Sequence, residues 1–143
     1  MDWTVDTVVL YLAANANVDS MYLLLRILQE THGVAFDCEG HIEQEYRHCI
    51  ERTRNRLVGK WFKAAVNKLA IVLSGKLTQE HQRAVQRLGF DRDDWPFVAV
   101  CSRTESKSLV SEDSDYTGEV REYLHVQMGV CVRDVKASLE ICG

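Results

Sequence analysis

The sequence predicts an α/β domain, a three-layer α/β/α sandwich around a central parallel sheet of four to five strands. Short apolar runs typical of strands alternate along the chain with longer amphipathic segments typical of helices. No repeat, low-complexity segment or linker interrupts this alternation. With 143 residues, 46% of them hydrophobic and 27% charged, the chain is long enough to bury a core of its own. Residues 1–143 are therefore interpreted as one domain.

Each strand is predicted from a short run of apolar and β-branched residues that polar residues or glycine bound on both sides. Such short runs suit a parallel sheet whose two faces are covered by helices. In chain order, the predicted strands are residues 2–6, 34–36, 108–111 and 129–132.

Each helix is predicted from apolar residues three or four apart and from polar capping residues at its start. Asp19 or Ser20 is expected to cap the second helix, and Glu80 or Gln82 the helix that begins at Thr78. A long basic amphipathic helix is expected from 54 to 73. In chain order, the predicted helices are residues 8–14, 20–31, 41–50, 54–73, 78–88, 95–101, 116–126 (helix or loop) and 134–141.

The segment from Phe90 to Tyr116 carries two groups of acidic residues. Asp93 or Asp94 is positioned to cap a helix with Pro96 in its first turn. The strand at 108–111 is followed at once by Glu112, Asp113 and Asp115. Open α/β sheets bind ligands at the carboxyl ends of their strands, so we expect both groups at that edge. Clustered carboxylates repel one another and favour a hard cation such as Mg²⁺ or Mn²⁺.

Basic residues are concentrated in the middle of the chain. Residues 47–92 contain eleven lysines and arginines but only three acidic residues, a net charge of +8. The remaining residues contain six basic and eighteen acidic side chains. A basic surface beside an acidic cluster is typical of proteins that bind a polyanion near a metal, although a solvated helix face has the same composition.

Four motifs, in chain order, resemble those of the PIN-domain nucleases, a family that includes the VapC-type toxins. An apolar strand that ends in an aspartate and a threonine is followed by a glutamate–tyrosine pair, a D-D-x-P-F segment and a strand that ends in several acidic residues. The motifs are Thr4-Val5-Asp6-Thr7-Val8, Glu45-Tyr46, Asp93-Asp94-Trp95-Pro96-Phe97-Val98-Ala99 and Leu109-Val110-Ser111-Glu112-Asp113-Ser114-Asp115.

The resemblance implies a PIN-like fold and a metal-dependent endoribonuclease. Mg²⁺ or Mn²⁺ would be held by Asp6, Asp94 and Asp113, and hydrolysis would also involve Glu45 and Asp115, with Asp115 at the margin of the site. Thr7 and Ser111 would support the ligands through their hydroxyl groups. RNA would be held through its backbone by Arg52, Arg56 and Lys60.

The resemblance also implies partners. Short members of the family pair with themselves and are restrained by an antitoxin protein, so a homodimer and an antitoxin are expected.

The N-terminus lacks the basic region that begins a signal peptide, and no apolar run reaches about 18 residues, so a cytoplasmic protein without a membrane segment is expected. The five cysteines are accordingly interpreted as reduced thiols.

Two other interpretations stay open. Val8 occupies the position where the family motif has an asparagine, which would suit a catalytically silent PIN-like scaffold that binds RNA or protein. An unrelated flavodoxin-like phosphate or metal binder is the third interpretation, and the lack of a glycine-rich loop after the first strand argues against it.

Overall fold

The computed structural model describes residues 1–142. Within them, five strands and eight α-helices alternate along the chain. In chain order, the elements are β1 (Asp2–Val5), α1 (Thr7–Ala14), α2 (Val18–Gln29), β2 (Gly33–Asp37), α3 (His41–Thr53), α4 (Arg56–Ala64), a π-helical turn (Ala65–Leu69), β3 (Ala70–Leu73), α5 (Gln79–Arg87), a 3-10 turn (Arg92–Asp94), α6 (Trp95–Arg103), β4 (Ser108–Val110), α7 (Gly118–Met128), β5 (Cys131–Arg133) and α8 (Val135–Ile141).

The five strands form one sheet in the order β3-β2-β1-β4-β5, and every neighbouring pair is parallel. The chain first builds the sheet outward from β1 through β2 to β3. It then crosses to the other side of β1 and adds β4 and β5. The direction of strand addition therefore reverses between β1 and β4, and that position is where open α/β sheets form a crevice for ligands.

Helices cover both faces of the sheet, so the predicted three-layer α/β/α fold is confirmed. On the central strand, Trp3 and Val5 are fully buried. Helix α6 packs against β1, β2 and β4, and residues 97–101 within it are fully buried. A parallel sheet needs this double cover, because both faces of its strands are apolar.

The predicted helix at 54–73 is wrong. Helix α4 ends at Ala64, and after the π-helical turn the chain forms β3, which pairs with β2 from Val34↔Ala70 to Asp37↔Leu73. The four residues Ala-Ile-Val-Leu are too few for their period to separate helix from strand. Pairing with β2 decides the conformation, since it satisfies backbone groups along that edge of the sheet.

Three predicted helix caps are also corrected. Asn17, rather than Asp19 or Ser20, caps α2, because its side chain accepts a bond from the Ser20 N–H. Thr78 caps α5 through the His81 N–H, in place of Glu80 or Gln82. Neither Asp93 nor Asp94 caps α6 with its side chain; Asp91 instead accepts the Asp93 N–H at 3.0 Å. The Asp94 carboxylate is thereby left available for other contacts.

All five cysteines are unpaired. Cys49, Cys101 and Cys142 are buried, whereas Cys38 is exposed.

Within residues 1–142, no single helix has the length and apolar character needed to cross a membrane. Helices α1 and α2 taken together have that length and character, but a bend of 116° separates them.

Candidate metal centre

The acidic residues gather at the carboxyl ends of β1 and β4. Asp6 follows the last residue of β1 and Ser111 the last residue of β4, and the pairing Val5↔Val110 places these ends side by side. The Asp6 N–H extends the ladder by donating to the Val110 carbonyl at 3.0 Å. The site therefore lies in the crevice where the order of strand addition reverses.

Asp6 is the most buried carboxylate of the site, at 3% exposure. Burial raises its pKa to about 6, and the neighbouring charges of Asp113 and Glu45 add to the rise. Ser111 opposes the rise, because its hydroxyl donates a hydrogen bond to Asp6 Oδ2 at 2.5 Å. Asp6 is thus fixed in position by a donor from the neighbouring strand end.

Asp94 lies at the end of the 3-10 turn that leads into α6, where it is 9% exposed. Burial raises its pKa to about 8, and the negative charges of Asp6 and Asp113, followed by contacts with Asp115, raise it further. At neutral pH, one of these carboxylates must either hold a proton or face a cation.

The segment after β4 folds back on itself through two short side-chain contacts. The Asp113 N–H donates to Ser111 Oγ and the Asp115 N–H donates to Asp113 Oδ1, each at 2.9 Å. Such Asx-type turns are made by short polar side chains that bond the backbone two residues on. They return Asp115 towards Asp94.

Asp91, Asp94 and Asp115 each offer an oxygen within 4.8 Å of the others, which is close enough for the three to share one cation. The three residues come from the two acidic segments on either side of α6 and β4. Their oxygen ligands are of the kind that Mg²⁺ and Mn²⁺ prefer.

Glu45 approaches the site from α3. The buried Asp37 carboxylate fixes the start of this helix by accepting the N–H groups of His41 at 2.9 Å and Ile42 at 2.7 Å. Burial raises the pKa of Glu45, whereas the His41 ring, with Nε2 at 3.4 Å from Glu45 Oε2, lowers it. His41 also contacts the Asp93 carbonyl at 3.0 Å, which links α3 to the 3-10 turn.

Two buried hydroxyl groups at the site have no hydrogen-bond partner: Thr7 Oγ1 and the Tyr116 hydroxyl. The Thr7 hydroxyl is close enough to Glu45 to lower its pKa, although no bond of normal geometry joins them. The pKa of Tyr116 lies well above its usual range, because it is buried and close to Asp6 and Asp94. Buried hydroxyls are normally satisfied by protein or water, so both groups fit a site that receives a hydrated cation.

Asp6, Asp94, Asp113 and Asp115 lie near one another at one edge of the sheet. The predicted ligand set of Asp6, Asp94 and Asp113 is nevertheless not the one whose oxygens all lie within 4.8 Å of one another, because that group is Asp91, Asp94 and Asp115. Asp91 was missed as a ligand candidate, although its place three residues before Asp94 is a signal for it. Asp115, predicted at the margin, lies with Asp94 and Asp91. Glu112 belongs elsewhere, since its carboxylate accepts the Val135 N–H at the start of α8 at 2.7 Å.

The predicted RNA-binding residues lie away from the carboxylates, at the end of α3 and on α4. Arg52, Arg56 and Lys60 are all exposed. Trp61, beside them, is 1% exposed and belongs to the core, so its ring offers no surface to a nucleotide base.

In comparisons with known proteins, no family model matches the chain, and neither does any curated protein or solved structure. The chemistry of the site is therefore the basis on which a function can be argued.

Proposed function

We propose that the protein is a metal-dependent endoribonuclease of the PIN-like class, hydrolysing RNA phosphodiester bonds with Mg²⁺ or Mn²⁺. The observation that supports this most is the acidic cluster itself, in which oxygens of Asp91, Asp94 and Asp115 all lie within 4.8 Å of one another. Burial and the charges of Asp6 and Asp113 raise the pKa of Asp94, which agrees with this crowding. Neighbouring carboxylates repel one another, so such a cluster at a ligand crevice is unfavourable without a cation. This arrangement is typical of metal-binding sites.

Asp94 would be the central ligand. Asp91 and Asp115 have oxygens within 4.8 Å of it, and Asp6 and Asp113 lie close enough for their charges to raise its pKa. The bound cation would supply a nucleophilic water at neutral pH and offset charge on the scissile phosphate. Ser111 holds Asp6 in place, and Asp113 holds the Asp115 backbone. Glu45, with its raised pKa, is suited to hold or accept a proton at the edge of the site.

RNA as the substrate is proposed from the motif resemblance together with the charge of residues 47–92. Arg52, Arg56 and Lys60 offer exposed cations to a phosphate backbone. Contacts of this kind give affinity without reading sequence.

The deciding experiment is a crystal soaked in Mn²⁺, with cleavage of a labelled single-stranded RNA measured in parallel. We expect anomalous manganese density beside Asp94, in contact with Asp91 and Asp115, and cleavage that EDTA abolishes. Full cleavage in excess EDTA would contradict the proposal.

A catalytically silent scaffold is the second candidate, and Val8 is the observation that favours it. The Val8 side chain packs against the hydrophobic core, so this position contributes no polar group to the site. RNA binding without cleavage in either Mg²⁺ or Mn²⁺ would support the scaffold.

Regulation by a protein partner belongs to the same proposal. Val18, Tyr22 and Leu25 are exposed at 59%, 58% and 37% and lie on one side of α2. An apolar stripe of this kind suits a homodimer contact or an antitoxin segment. If light scattering gives the mass of a monomer, and expression of the protein alone neither slows growth nor degrades RNA, the toxin interpretation fails.

A further inference from the structure

A cavity of about 570 Å³ opens between α3 and α4, away from the carboxylates. Four basic side chains line it against one acidic side chain, together with apolar groups. The lining residues used below are Arg47, Glu51, Arg56, Gly59, Lys60, Phe62 and Lys63. This volume is in the range that holds a small ligand.

The charge of this cavity is largely unneutralised. In residues 1–142 there are two ion pairs, His41–Glu45 and Arg47–Glu43, so Arg56, Lys60 and Lys63 belong to neither. Three cations without an ionic partner around one concave surface repel one another. An anionic ligand would relieve this repulsion.

Arg47 lies in the cavity wall, where it has two contacts with other side chains. Its guanidinium lies over the Phe62 ring, 5.1 Å from the centroid, and its Nη2 donates to Glu43 Oε1 at 3.0 Å. The Arg47 side chain remains 59% exposed, so its guanidinium is accessible to a nucleobase. Arginine planes and aromatic rings serve as stacking surfaces for the bases of single-stranded RNA.

The corner between the two helices is fixed as well. Arg54 ends α3 with a left-handed backbone, φ +52°, and Asn55 caps α4 by accepting the Val58 N–H at 3.1 Å. The Asn55 amide also donates to the Ala14 carbonyl at the end of α1, at 3.3 Å. These contacts fix how α4 starts after α3, and both helices line the cavity.

Tyr46 connects the cavity wall to the carboxylate site. Its ring packs edge-on against Phe62, with centroids 6.3 Å apart, and its hydroxyl donates to the carbonyl of Val5, the residue before Asp6. One aromatic side chain thus separates the cavity from the end of β1.

We propose that this cavity is a nucleotide-binding subsite for single-stranded RNA: a base stacks on Arg47, and Arg56, Lys60 and Lys63 hold the adjacent phosphate. The proposal rests on the proposed ribonuclease function and names where the substrate is held.

Gly59 gives a direct test, because it lines the cavity in the middle of α4. A Cβ added there has only Ile50 Cγ2 near it, at 3.9 Å. Gly59→Glu therefore places a carboxylate in the cavity without a steric conflict. Gly59→Ala is the matched control, and it should stabilise α4 by up to about 1 kcal/mol.

Binding would be measured by fluorescence anisotropy of a 5′-labelled eight-nucleotide RNA in EDTA, where metal-dependent cleavage does not contribute. Gly59→Glu should weaken binding about tenfold, the size of one lost charge-assisted contact, and Gly59→Ala should leave it unchanged. Arg56→Gln and Lys60→Gln should each lower the slope of log K against log salt by about 0.7. Lys136→Gln, an exposed lysine on α8 outside the cavity, should change it less.

Wild-type affinity in Gly59→Glu, or equal effects of Lys136→Gln and Arg56→Gln, would overturn the subsite. Because binding is measured without metal, the two proposals fail separately. If the wild type binds RNA in EDTA but cleaves none with any metal, the nuclease proposal fails and the binding subsite stands. If Gly59→Glu cleaves RNA at the wild-type rate, the subsite fails and the nuclease proposal stands.

Discussion

Ser111 Oγ donates a hydrogen bond to Asp6 Oδ2 at 2.5 Å and joins residues that are 105 positions apart in the chain. The same oxygen accepts the Asp113 N–H at 2.9 Å. One hydroxyl therefore positions a ligand candidate at the end of β1 and the start of the acidic segment after β4.

Ser111→Ala should raise the pKa of Asp6 above its present value of about 6, because the lost bond favours the ionised carboxylate. In the metal-free protein, a titration of the Asp6 carboxyl followed by ¹³C NMR should show this shift. In the proposed reaction, the acidic limb of the pH–rate profile should move to higher pH. Ser111→Thr keeps the hydroxyl and should restore both values; an unshifted Asp6 in the alanine variant would refute the role.

Asp94 should make the metal-free protein less stable as pH rises. Its pKa is about 8 when folded and near 3.8 when unfolded, so between these values the folded state binds more protons than the unfolded state. The free energy of unfolding therefore falls as pH increases from about 4 to about 8. Asp94→Asn should flatten this slope and raise Tm at pH 8 by several degrees. Thermal melts across this range, with and without Mn²⁺, would measure it.

Mn²⁺ supplies the control for that experiment. The wild type should gain stability at pH 8 when Mn²⁺ is added, because a ligand of the folded state shifts the unfolding equilibrium. Asp94→Asn should gain little. An equal gain in both proteins would mean that Asp94 does not hold the ion.

Asp6→Asn and Asp113→Asn should lower RNA cleavage by about two orders of magnitude or more, while the fold is kept, because each removes a ligand charge worth several kcal/mol. Initial rates on a labelled RNA in Mg²⁺, with circular dichroism as the folding check, would test this. Glu112→Gln is the matched control, since Glu112 is in the same acidic run but contacts the start of α8. A loss as large in this variant would show that the effect is not specific to the site.

Asp115→Asn should reduce cleavage at least as much as Glu45→Gln. The sequence alone favours the opposite order, with Asp115 at the margin of the site. In the structure, an Asp115 oxygen lies within 4.8 Å of its counterparts in Asp94 and Asp91, whereas Glu45 faces His41. The Kd for Mn²⁺ and the cleavage rate of both variants would test this order. A stronger effect of Glu45→Gln would contradict it and favour the order expected from the sequence.

The sheet and the position of the site follow from the sequence because they depend on local patterns. Buried strands such as β1 and β4 are short apolar runs, and the acids after them must meet at one edge of a parallel sheet. Strand β3 is not predicted by such a local pattern. Its residues Ala70–Leu73 directly follow helix-forming residues, and their strand conformation depends on pairing with β2, a contact that a local pattern does not contain.

The ligand set is predicted less well than its location. Whether Asp91 or Asp113 approaches Asp94 depends on the 3-10 turn before α6 and on the two Asx-type turns after β4. Each turn is set by a single side-chain contact, and alternative contacts are equally available to the same residues in the sequence. The sequence predicts Asp93 or Asp94 as the cap of α6, whereas in the structure neither side chain caps it and Asp91 caps the 3-10 turn before it.

The parallel pairing of β1 with β4 also affects when the site can form during synthesis. β1 is made first, but its partner on that side ends at Val110, and the acids that complete the site extend to Asp115. A ribosome makes the chain from its N-terminus, so β1 and β2 can pair while the other edge of β1 is still empty. The carboxylate centre cannot assemble until that late segment has emerged. If the protein cleaves RNA, it is therefore inactive until the residues up to Asp115 have been made.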